Sequence, residues 1–424
     1  MTVRLRFGEL GLLLPAIAVA LAGAAILLMQ HGRALTTLAL APALATIGLF
    51  VAAHLWLVVR RPGVDQTLLP LAAVLTALGL TLVTRLEPAL GPRQLVWLAI
   101  ALVGWAVVIG FPRPVRWLAG YRYTSAILGI LLLGSTLFLG VDPNGSGVRI
   151  WLGFGGYYFQ PSELLKILLI IFLAGYLEET RDLIAAGGAA RTVWRGASIT
   201  YVLPIAVMCG VSVALLLVQR DLGPGVLLFA ITLAMLYVAT GRALYVVLGA
   251  IAFVVSAFVG YRIIPVARLR IDVWLDPWSD AADRGYQIVQ GLVSFANGGI
   301  FGVGLGYGHP EILPAAHTDF PFAVIGEEMG LVGAAAVLAV FIVLTLRGFA
   351  IAARAPDGFT SLLATGLSTV LSFQSLIILA GNLKLLPLTG ITLPFVSYGG
   401  SSLVTNFLIL AILQRVSAEE AERG

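Results

Sequence analysis

The chain is divided into about twelve apolar stretches, most of them near the ~20 residues that a helix needs to cross a lipid bilayer. Clusters of Arg, Pro and Gly separate the stretches. We predict an all-α polytopic membrane protein, because a helix satisfies its own backbone hydrogen bonds in lipid. The predicted spans are 10–30, 36–59, 67–85, 94–112, 123–141, 162–177, 197–218, 224–240, 243–263, 321–346, 359–382 and 400–415.

Composition supports a membrane protein and excludes several other classes. Of the 424 residues, 59% are hydrophobic and 11% are charged, whereas a soluble domain has about 25% charged residues. The single cysteine, Cys209, excludes an intramolecular disulfide and a Cys-based metal cluster. The first stretch follows "MTVRLR" and contains "AGAA", which a cleaved signal peptide would also show. We expect an uncleaved helix, because a second span follows at once.

The arginines predict the orientation, since short cytoplasmic loops are enriched in Lys and Arg. We therefore attribute the net charge of +5 to arginines at helix ends and not to a nucleic-acid-binding surface. With both termini in the cytoplasm, fifteen of the 26 Lys and Arg residues are cytoplasmic. They are Arg4, Arg6, Arg60, Arg61, Arg113, Arg116, Arg122, Arg181, Arg191, Arg195, Arg242, Arg347, Arg354, Arg415 and Arg423.

Two predicted exterior loops, 142–161 and 264–320, are longer than the usual connection, and such loops are often functional. The first is glycine- and aromatic-rich and ends in a helix start with Glu163 and Lys166 on one face. The second contains a predicted amphipathic helix, 286–296. Its "GVGLGYG" is not a dinucleotide fingerprint, because no strand precedes it. We expect the glycines to form a tight loop.

Five motifs together resemble one known family. The series "GVRIW…QPSELLKI", "QRDLGPG", "DPWSDAADRGYQIVQ…GGIFGVGLGYG", "HTDFPFAVIGEEMGLVG" and "LPLTGITLPFVSYGGSS" resembles the SEDS family of FtsW, RodA and SpoVE over about 68–416. The resemblance implies a peptidoglycan glycosyltransferase that polymerises lipid II beside a single-pass class B penicillin-binding protein. It also implies ten helices. The expected organisation is two extra N-terminal helices in 1–62, a SEDS-like core in 63–416 and a short cytoplasmic tail in 417–424.

Two places depart from the commoner family pattern. Many relatives read Gln-Pro-Asp-Leu-Gly where this chain has Arg220 in second place. Ile378 stands where an Asn is frequent, with Asn382 and Lys384 nearby. The family assignment does not depend on either position.

The predicted catalytic residue is Asp319, directly before the span 321–346. An aspartate there also makes an ordinary helix N-cap. The resemblance assigns the matching family position to the proposed catalytic aspartate, which would accept the proton of an attacking hydroxyl. Partial desolvation at the membrane edge should raise the pKa of this carboxyl and make it a better base.

Polar neighbours of Asp319 are predicted to contribute to the substrate site. His317 is expected to orient the loop or bind phosphate, and Ser397 lies in the last family motif. A hydrolase based on His317 and a serine such as Ser401 is disfavoured, because "VSYGGSS" lacks the nucleophile-elbow pattern. On a continuous helix, Glu327 and Glu328 would lie roughly 12–14 Å deeper than Asp319. They are interpreted as a structural pair for an arginine or as the lining of an acceptor cleft, with Glu328 favoured as structural.

A leaving diphosphate needs positive charge. The exterior candidates are Arg149, Lys166, Arg220 and Lys384, and the first two fall within family motifs. Arg149 could instead snorkel to phospholipid headgroups. The resemblance implies help from a divalent cation, Mg²⁺ or Mn²⁺. The sequence offers no dedicated metal ligands, since the spacing of Asp272, Asp276, Asp280 and Asp283 matches neither an EF-hand loop nor a D-x-D pair.

Two other functional classes stay open. A lipid II flippase would have a similar helix count, although a transporter should show internal repeats and ionisable groups at the bilayer midplane. A scaffold that recruits partners would need no buried base. The sequence does not separate an elongation role from a division or sporulation role. We therefore expect a glycosyltransferase of the cytoplasmic membrane that works with other elongation or division proteins.

Overall fold

The computed structural model describes residues 6–30, 32, 34–37, 39–143, 145, 147–187 and 197–422, and it confirms the predicted all-α polytopic architecture. The first seven helices are α1 (Phe7–Gln30), α2 (Ala41–Arg60), α3 (Leu68–Leu86), α4 (Gly91–Gly110), α5 (Arg122–Leu139), α6 (Pro161–Gly187) and α7 (Ala197–Val218). The remaining helices are α8 (Leu222–Thr240), α9 (Ala243–Ile263), α10 (Pro265–Leu275), α11 (Tyr286–Gly298), α12 (Pro321–Arg354), α13 (Gly358–Asn382) and α14 (Gly400–Ala421). Of the fifteen arginines predicted to be cytoplasmic, four lie outside the described residues: Arg4, Arg191, Arg195 and Arg423.

Eleven helices of the described chain are long and apolar enough to cross a membrane. The sixth predicted span, 162–177, is not among these eleven; it falls within α6, which is 27 residues long but carries several charged side chains. The amphipathic helix predicted at 286–296 is α11. Helix α10 and a short hairpin were not predicted. The hairpin pairs β1 (Leu152–Phe154) with β2 (Tyr157–Phe159) in antiparallel register.

Helix starts and stops follow from local chemistry. Proline is the first residue of α6, α10 and α12, where its missing N–H is not needed and its fixed φ suits a helix. The side chain of Asp357 caps α13 by accepting a hydrogen bond from the Thr360 N–H at 3.1 Å. Gly241 ends α8 with a φ of 65°, a left-handed conformation that glycine adopts without strain.

The boundaries predicted for the tenth span, 321–346, are wrong, because α12 is interrupted at Gly330. This residue has a φ of 66° and a ψ of −166°, and the membrane-length segment runs from Gly330 to Arg354. The N–H groups of Leu331 and Val332 bond to the carbonyls of Gly299 and Ile300 instead of continuing the helix. Glu327 and Glu328 therefore precede the span and do not lie deep within it.

Helices α3, α13 and α14 form the centre of the bundle. In the most apolar 18-residue stretch of each, 78%, 78% and 89% of the residues are buried. Helix α9 lies at the periphery and has no buried residue. The central helices carry buried polar side chains along their length, from Thr360 to Asn382 in α13, whereas α9 is almost uniformly apolar. The buried centre of the bundle therefore contains polar as well as apolar side chains.

The helix ends separate into two faces. Ion pairs on one face join Arg116 to Asp357 at 3.0 Å and Arg347 to Asp65. We call it the arginine-rich face; it contains residues 60–65, 111–122, 347–357 and 415–422. The opposite face, called the loop face, contains residues 85–93, 141–163, 219–221, 264–320 and 382–402. Every predicted site residue lies on or just beneath the loop face.

Candidate active site

Asp319 lies in a segment whose backbone carbonyls accept hydrogen bonds from two other parts of the chain. The Ser397 hydroxyl donates to the Thr318 carbonyl at 2.6 Å, and the Tyr398 N–H donates to the His317 carbonyl at 2.8 Å. The side-chain amide of Asn382, at the end of α13, donates to the Asp319 carbonyl at 2.9 Å. These contacts fix the backbone of the segment, and none of them uses the Asp319 carboxylate.

Asp319 is half-buried as a residue. Burial raises its pKa to about 6, while the Thr318 hydroxyl and the positive charge of Arg270 oppose that rise. Such a group is ionised at neutral pH yet holds a proton much more strongly than an ordinary aspartate. This is the property that a general base needs.

Asp221 is a second carboxyl of the same region. It stands between α7 and α8 and accepts a hydrogen bond from the Gln160 side chain at 2.9 Å. Burial raises its pKa to about 6, against the effects of Arg270 and Gln160. Arg270 on α10 interacts electrostatically with both Asp221 and Asp319. The positive charge of Arg270 thus opposes the rise in pKa at both carboxyls.

A buried polar chain lies beneath this site. Lys166 is 1% exposed, and its Nζ lies 2.7 Å from Glu163 Oε2 and 2.7 Å from Gln374 Oε1. The Gln374 amide donates to the Thr392 carbonyl at 2.8 Å. Lys166 therefore joins α6 to α13 and, through Gln374, to the segment before α14. Its predicted role at a leaving diphosphate stays a prediction.

Glu327 and Glu328 are buried under the glycine-rich loop 299–308. The N–H groups of Val303 and Gly304 donate to their carbonyls, both at 3.0 Å. Glu327 Oε1 accepts from the His309 N–H at 3.1 Å. Arg85 Nε lies 3.7 Å from Glu328 Oε1, and burial raises the Glu328 pKa above its ordinary value. This arrangement agrees with a structural role for Glu328 and leaves a substrate role for Glu327 as a prediction.

The remaining predicted side chains occupy different positions on the loop face. His317 packs edge-on against Tyr398, and burial lowers its pKa below the ordinary value despite the charge of Glu87. Lys384 is half-buried, with its Nζ 3.5 Å from the Leu275 carbonyl. Arg149 and Arg220 are exposed. Ser397 is buried and serves the backbone contact to Thr318, which sequence reasoning did not predict.

Sequence reasoning missed four contributors to the site. Asp221 and Gln160 stand in quoted motifs but received no role, and Asn382 was noted only as a neighbour of Lys384. The signal of these three was a polar side chain at a predicted helix end. Arg270 lies within the predicted loop 264–320 but was not assigned to the site. Ser401, considered for a hydrolase, instead donates towards the Tyr158 carbonyl and accepts from the Gln160 N–H at 2.8 Å.

The described residues contain no cluster of side chains dedicated to a divalent cation. Within the described ranges, no group of three or more His, Cys, Asp or Glu side chains could hold a metal ion. Asp272 accepts a hydrogen bond from the Tyr261 hydroxyl at 2.9 Å, and Asp276 caps a short 3₁₀ helix at the Ser279 N–H. We therefore assign no step to a metal.

The fold and the site together define a multi-pass membrane protein with a desolvated acid–arginine cluster at one face. A family model for the cell cycle proteins FtsW, RodA and SpoVE matches residues 64–422. The chain is 38% identical over 389 residues to the peptidoglycan glycosyltransferase RodA of Mycobacterium tuberculosis (strain ATCC 25618 / H37Rv), covering 88% of this chain and 82% of that protein. The chain belongs to the FtsW/RodA/SpoVE family.

Further comparisons agree. The chain is 37% identical over 324 residues to a probable peptidoglycan glycosyltransferase FtsW of Nitrosomonas europaea, covering 75% of this chain and 81% of that one. The crystal structure of RodA from Thermus thermophilus matches with a TM-score of 0.60 and 30% identity, over 84% of this chain and 97% of that one. A chain from a peptidoglycan synthase complex that coordinates polymerization and crosslinking matches with a TM-score of 0.70 and 32% identity, over 84% and 98%.

Proposed function

We propose that this protein is a peptidoglycan glycosyltransferase that polymerises lipid II at the exterior face of the cytoplasmic membrane, with Asp319 as general base. Family membership is the observation that carries the activity. The raised pKa of Asp319 supports its role as base. The loop face is the exterior face in this proposal, because the arginine-rich face then meets the cytoplasm.

The reaction needs one base and a stabilised leaving group. An acceptor hydroxyl attacks the anomeric carbon of a lipid-linked sugar, and a new C–O bond forms as its proton passes to Asp319. The bond from the anomeric carbon to the diphosphate oxygen breaks, and the bonding electrons leave with the polyprenyl diphosphate. Cations stabilise that negative charge. Arg149, Arg220 and Lys384 are proposed for this role because they lie on the loop face and keep exposed surface.

Buried residues support this chemistry from within the bundle. Lys166 and Glu163 are proposed to hold the underside of the substrate site through Gln374, because both are buried and paired. His317 and Glu327 are proposed to shape the acceptor side, because His317 lies two residues before Asp319 and Glu327 accepts a hydrogen bond from the His309 N–H of the same loop face.

The partner and the domain organisation are also proposals. The similarity to a chain of a peptidoglycan synthase complex supports a class B penicillin-binding protein as partner. The family model begins at residue 64, which supports α1 and α2 as additions to a family core in 63–416. Both termini are proposed to be cytoplasmic.

A transporter is the alternative class. A flippase must expose its site to each side of the membrane in turn, whereas the ionisable groups of the candidate site gather on or just beneath the loop face. The discriminating experiment uses the purified full chain in vesicles with lipid II in the outer leaflet, with and without a partner. We expect glycan strands to form while lipid scrambling stays at background. Scrambling without any glycan, under every condition with a suitable partner, would replace the enzyme with the transporter.

A further inference from the structure

A groove lies between α1, α2 and α3, at the end of these helices that meets the loop face. It has a volume of about 200 Å³ and is lined by residues of all three helices and by Pro88. Two of its three walls come from α1 and α2, which precede the family model at residue 64, and no predicted site residue lines it. Small side chains create the space, because alanines of the three helices stand together there: Ala20, Ala24, Ala43 and Ala77.

Three threonines also line the groove, but each hydroxyl already has a partner in its own helix. The hydroxyls of Thr46, Thr81 and Thr84 donate to the carbonyl four residues earlier, at 2.8, 2.9 and 2.7 Å. A buried water molecule makes about three hydrogen bonds to polar groups that would otherwise be unsatisfied. The walls of the groove therefore suit a hydrocarbon chain better than water.

The depth of the groove matches one leaflet of a bilayer. Along α3 the groove extends from Ala77 to Arg85, about 12 Å at the helical rise, and one leaflet contributes about 15 Å, half of the hydrocarbon core. Helices α1 and α2 lie at the edge of the bundle, with 22% and 39% of the residues buried in the most apolar 18-residue stretch of each. Lipid of the leaflet next to the loop face, called the loop-face leaflet, can therefore reach the groove.

Arg85 stands at the loop-face end of the groove and is the one charged side chain among the described residues that line it. Its Nη2 donates to the carbonyls of Gly306 at 3.0 Å and Gly308 at 3.3 Å. Its Nε lies 3.7 Å from Glu328 Oε1 and makes no hydrogen bond within the described residues. None of these contacts uses Nη1. The guanidinium therefore keeps N–H groups for a phosphate, which arginine binds in a planar, bidentate geometry.

We propose that this groove binds one acyl chain of an anionic phospholipid of the loop-face leaflet, with the headgroup phosphate at Arg85. A single chain suits the groove because its volume is below the about 300–1,000 Å³ of sites for drug-sized ligands. The lipid takes no part in the proposed reaction. Through Arg85 it lies beside the glycine-rich loop 299–308, whose carbonyls at Gly306 and Gly308 the same guanidinium holds.

The test is native mass spectrometry of the purified full chain in detergent, after bound lipid has been removed. Phosphatidylglycerol, which is anionic, and phosphatidylcholine, which is zwitterionic, are added back with identical acyl chains. We expect one phosphatidylglycerol to be retained per chain. It should need a concentration about fivefold lower than phosphatidylcholine does, the effect of one cation near an anionic lipid surface.

Two matched variants locate the lipid. Ala24→Phe places a phenyl ring in the groove and should weaken the retention of phosphatidylglycerol by at least ~10-fold, the effect of removing about two buried CH₂ groups. Ala25→Phe makes the same change at the next residue, which is also half-buried but does not line the groove, and should retain the lipid as the wild type does. If Ala24→Phe does not fold, phosphatidylglycerol with a diazirine in its acyl chain locates the lipid in the wild-type chain, and we expect labelled peptides in α1, α2 and α3.

Three outcomes would overturn the proposal. Equal retention of the two phospholipids would remove the headgroup contact at Arg85. Normal retention by Ala24→Phe, or labelling that spreads over peripheral helices such as α9, would place the lipid elsewhere. Displacement of phosphatidylglycerol by an equal concentration of lipid II would make a polyprenyl chain the occupant instead of a phospholipid.

Discussion

Replacing Lys166 by Met tests what the buried ion pair of α6 contributes to stability. The side chains of Lys166 and Glu163 are 2% and 7% exposed, and their charged atoms lie 2.7 Å apart. Gln374 Oε1 accepts the second hydrogen bond of the ammonium, also at 2.7 Å. Methionine is unbranched and adaptable, so it removes the charge without opening a large cavity. What remains is a buried carboxylate without its cation.

The size of the effect follows from that unpaired charge. Removing one partner of a buried pair costs about 3–5 kcal/mol. The unpaired Gln374 oxygen would by itself cost about 1–3 kcal/mol, but the two losses share one site and do not add. We expect Lys166→Met to lower the free energy of unfolding by about 3–5 kcal/mol. The double variant Glu163→Gln with Lys166→Met should recover about half of that loss, because both charges disappear together.

The assay is denaturant unfolding of the full chain in detergent micelles, followed by the fluorescence of its eight tryptophans. Arg284→Met is the matched control. It breaks an exposed pair with Asp280 at 3.8 Å and should cost less than about 1 kcal/mol. A Lys166→Met protein as stable as the wild type would refute this reasoning. So would a double variant that is no more stable than the single one.

Three further predictions concern the loop face and the break in α12. The polymerisation rate should be nearly constant from pH 8 to 7 and fall about tenfold for each unit well below pH 6, since Asp319, with its pKa raised to about 6, must be ionised; a flat profile down to pH 5 would contradict this. Arg149→Gln should raise KM for lipid II more than Arg284→Gln does, with unfolding unchanged because Arg149 is exposed; equal KM values would remove Arg149 from the site. Gly330→Ala should destabilise the fold by at least about 1–3 kcal/mol from its positive φ alone, since a Cβ there would also lie 2.3 Å from Gly302 N; wild-type unfolding would argue against the break in α12.

The membrane helices were predictable because their signal is local. A run of about twenty apolar residues identifies a span wherever it stands in the fold. The break at Gly330 was not predictable in this way, because "EEMGLVG" is continuous with the apolar run that follows. It depends on the backbone of 299–304, which pairs with Glu327, Glu328, Leu331 and Val332. The β1–β2 hairpin did leave a local signal, a Gly155–Gly156 turn between aromatic residues.

Some residues of the site were predictable from the sequence, but the contacts between them were not. Asp319 and Lys166 were identified by family motifs, yet motifs do not reveal that Lys166 is buried against Gln374 on α13. The charge of Arg270 acts on Asp221 and on Asp319, each of which is about fifty positions away along the chain. Whether a charged side chain on an exterior loop lies near a second charge depends on the conformation of the loop. Hydrophobic periodicity and motif spacing do not predict that conformation.

The most direct measurement of the central claim is glycan synthesis by Asp319→Asn from lipid II already placed in the outer leaflet. Asparagine is nearly isosteric but cannot accept the proton, and the Asn382 contact to the backbone carbonyl of residue 319 remains available. We predict a loss of at least ~10²-fold, the usual scale for removal of a general base, with unchanged unfolding and with normal activity in the control Asp283→Asn. Near-normal glycan synthesis by Asp319→Asn would contradict the account.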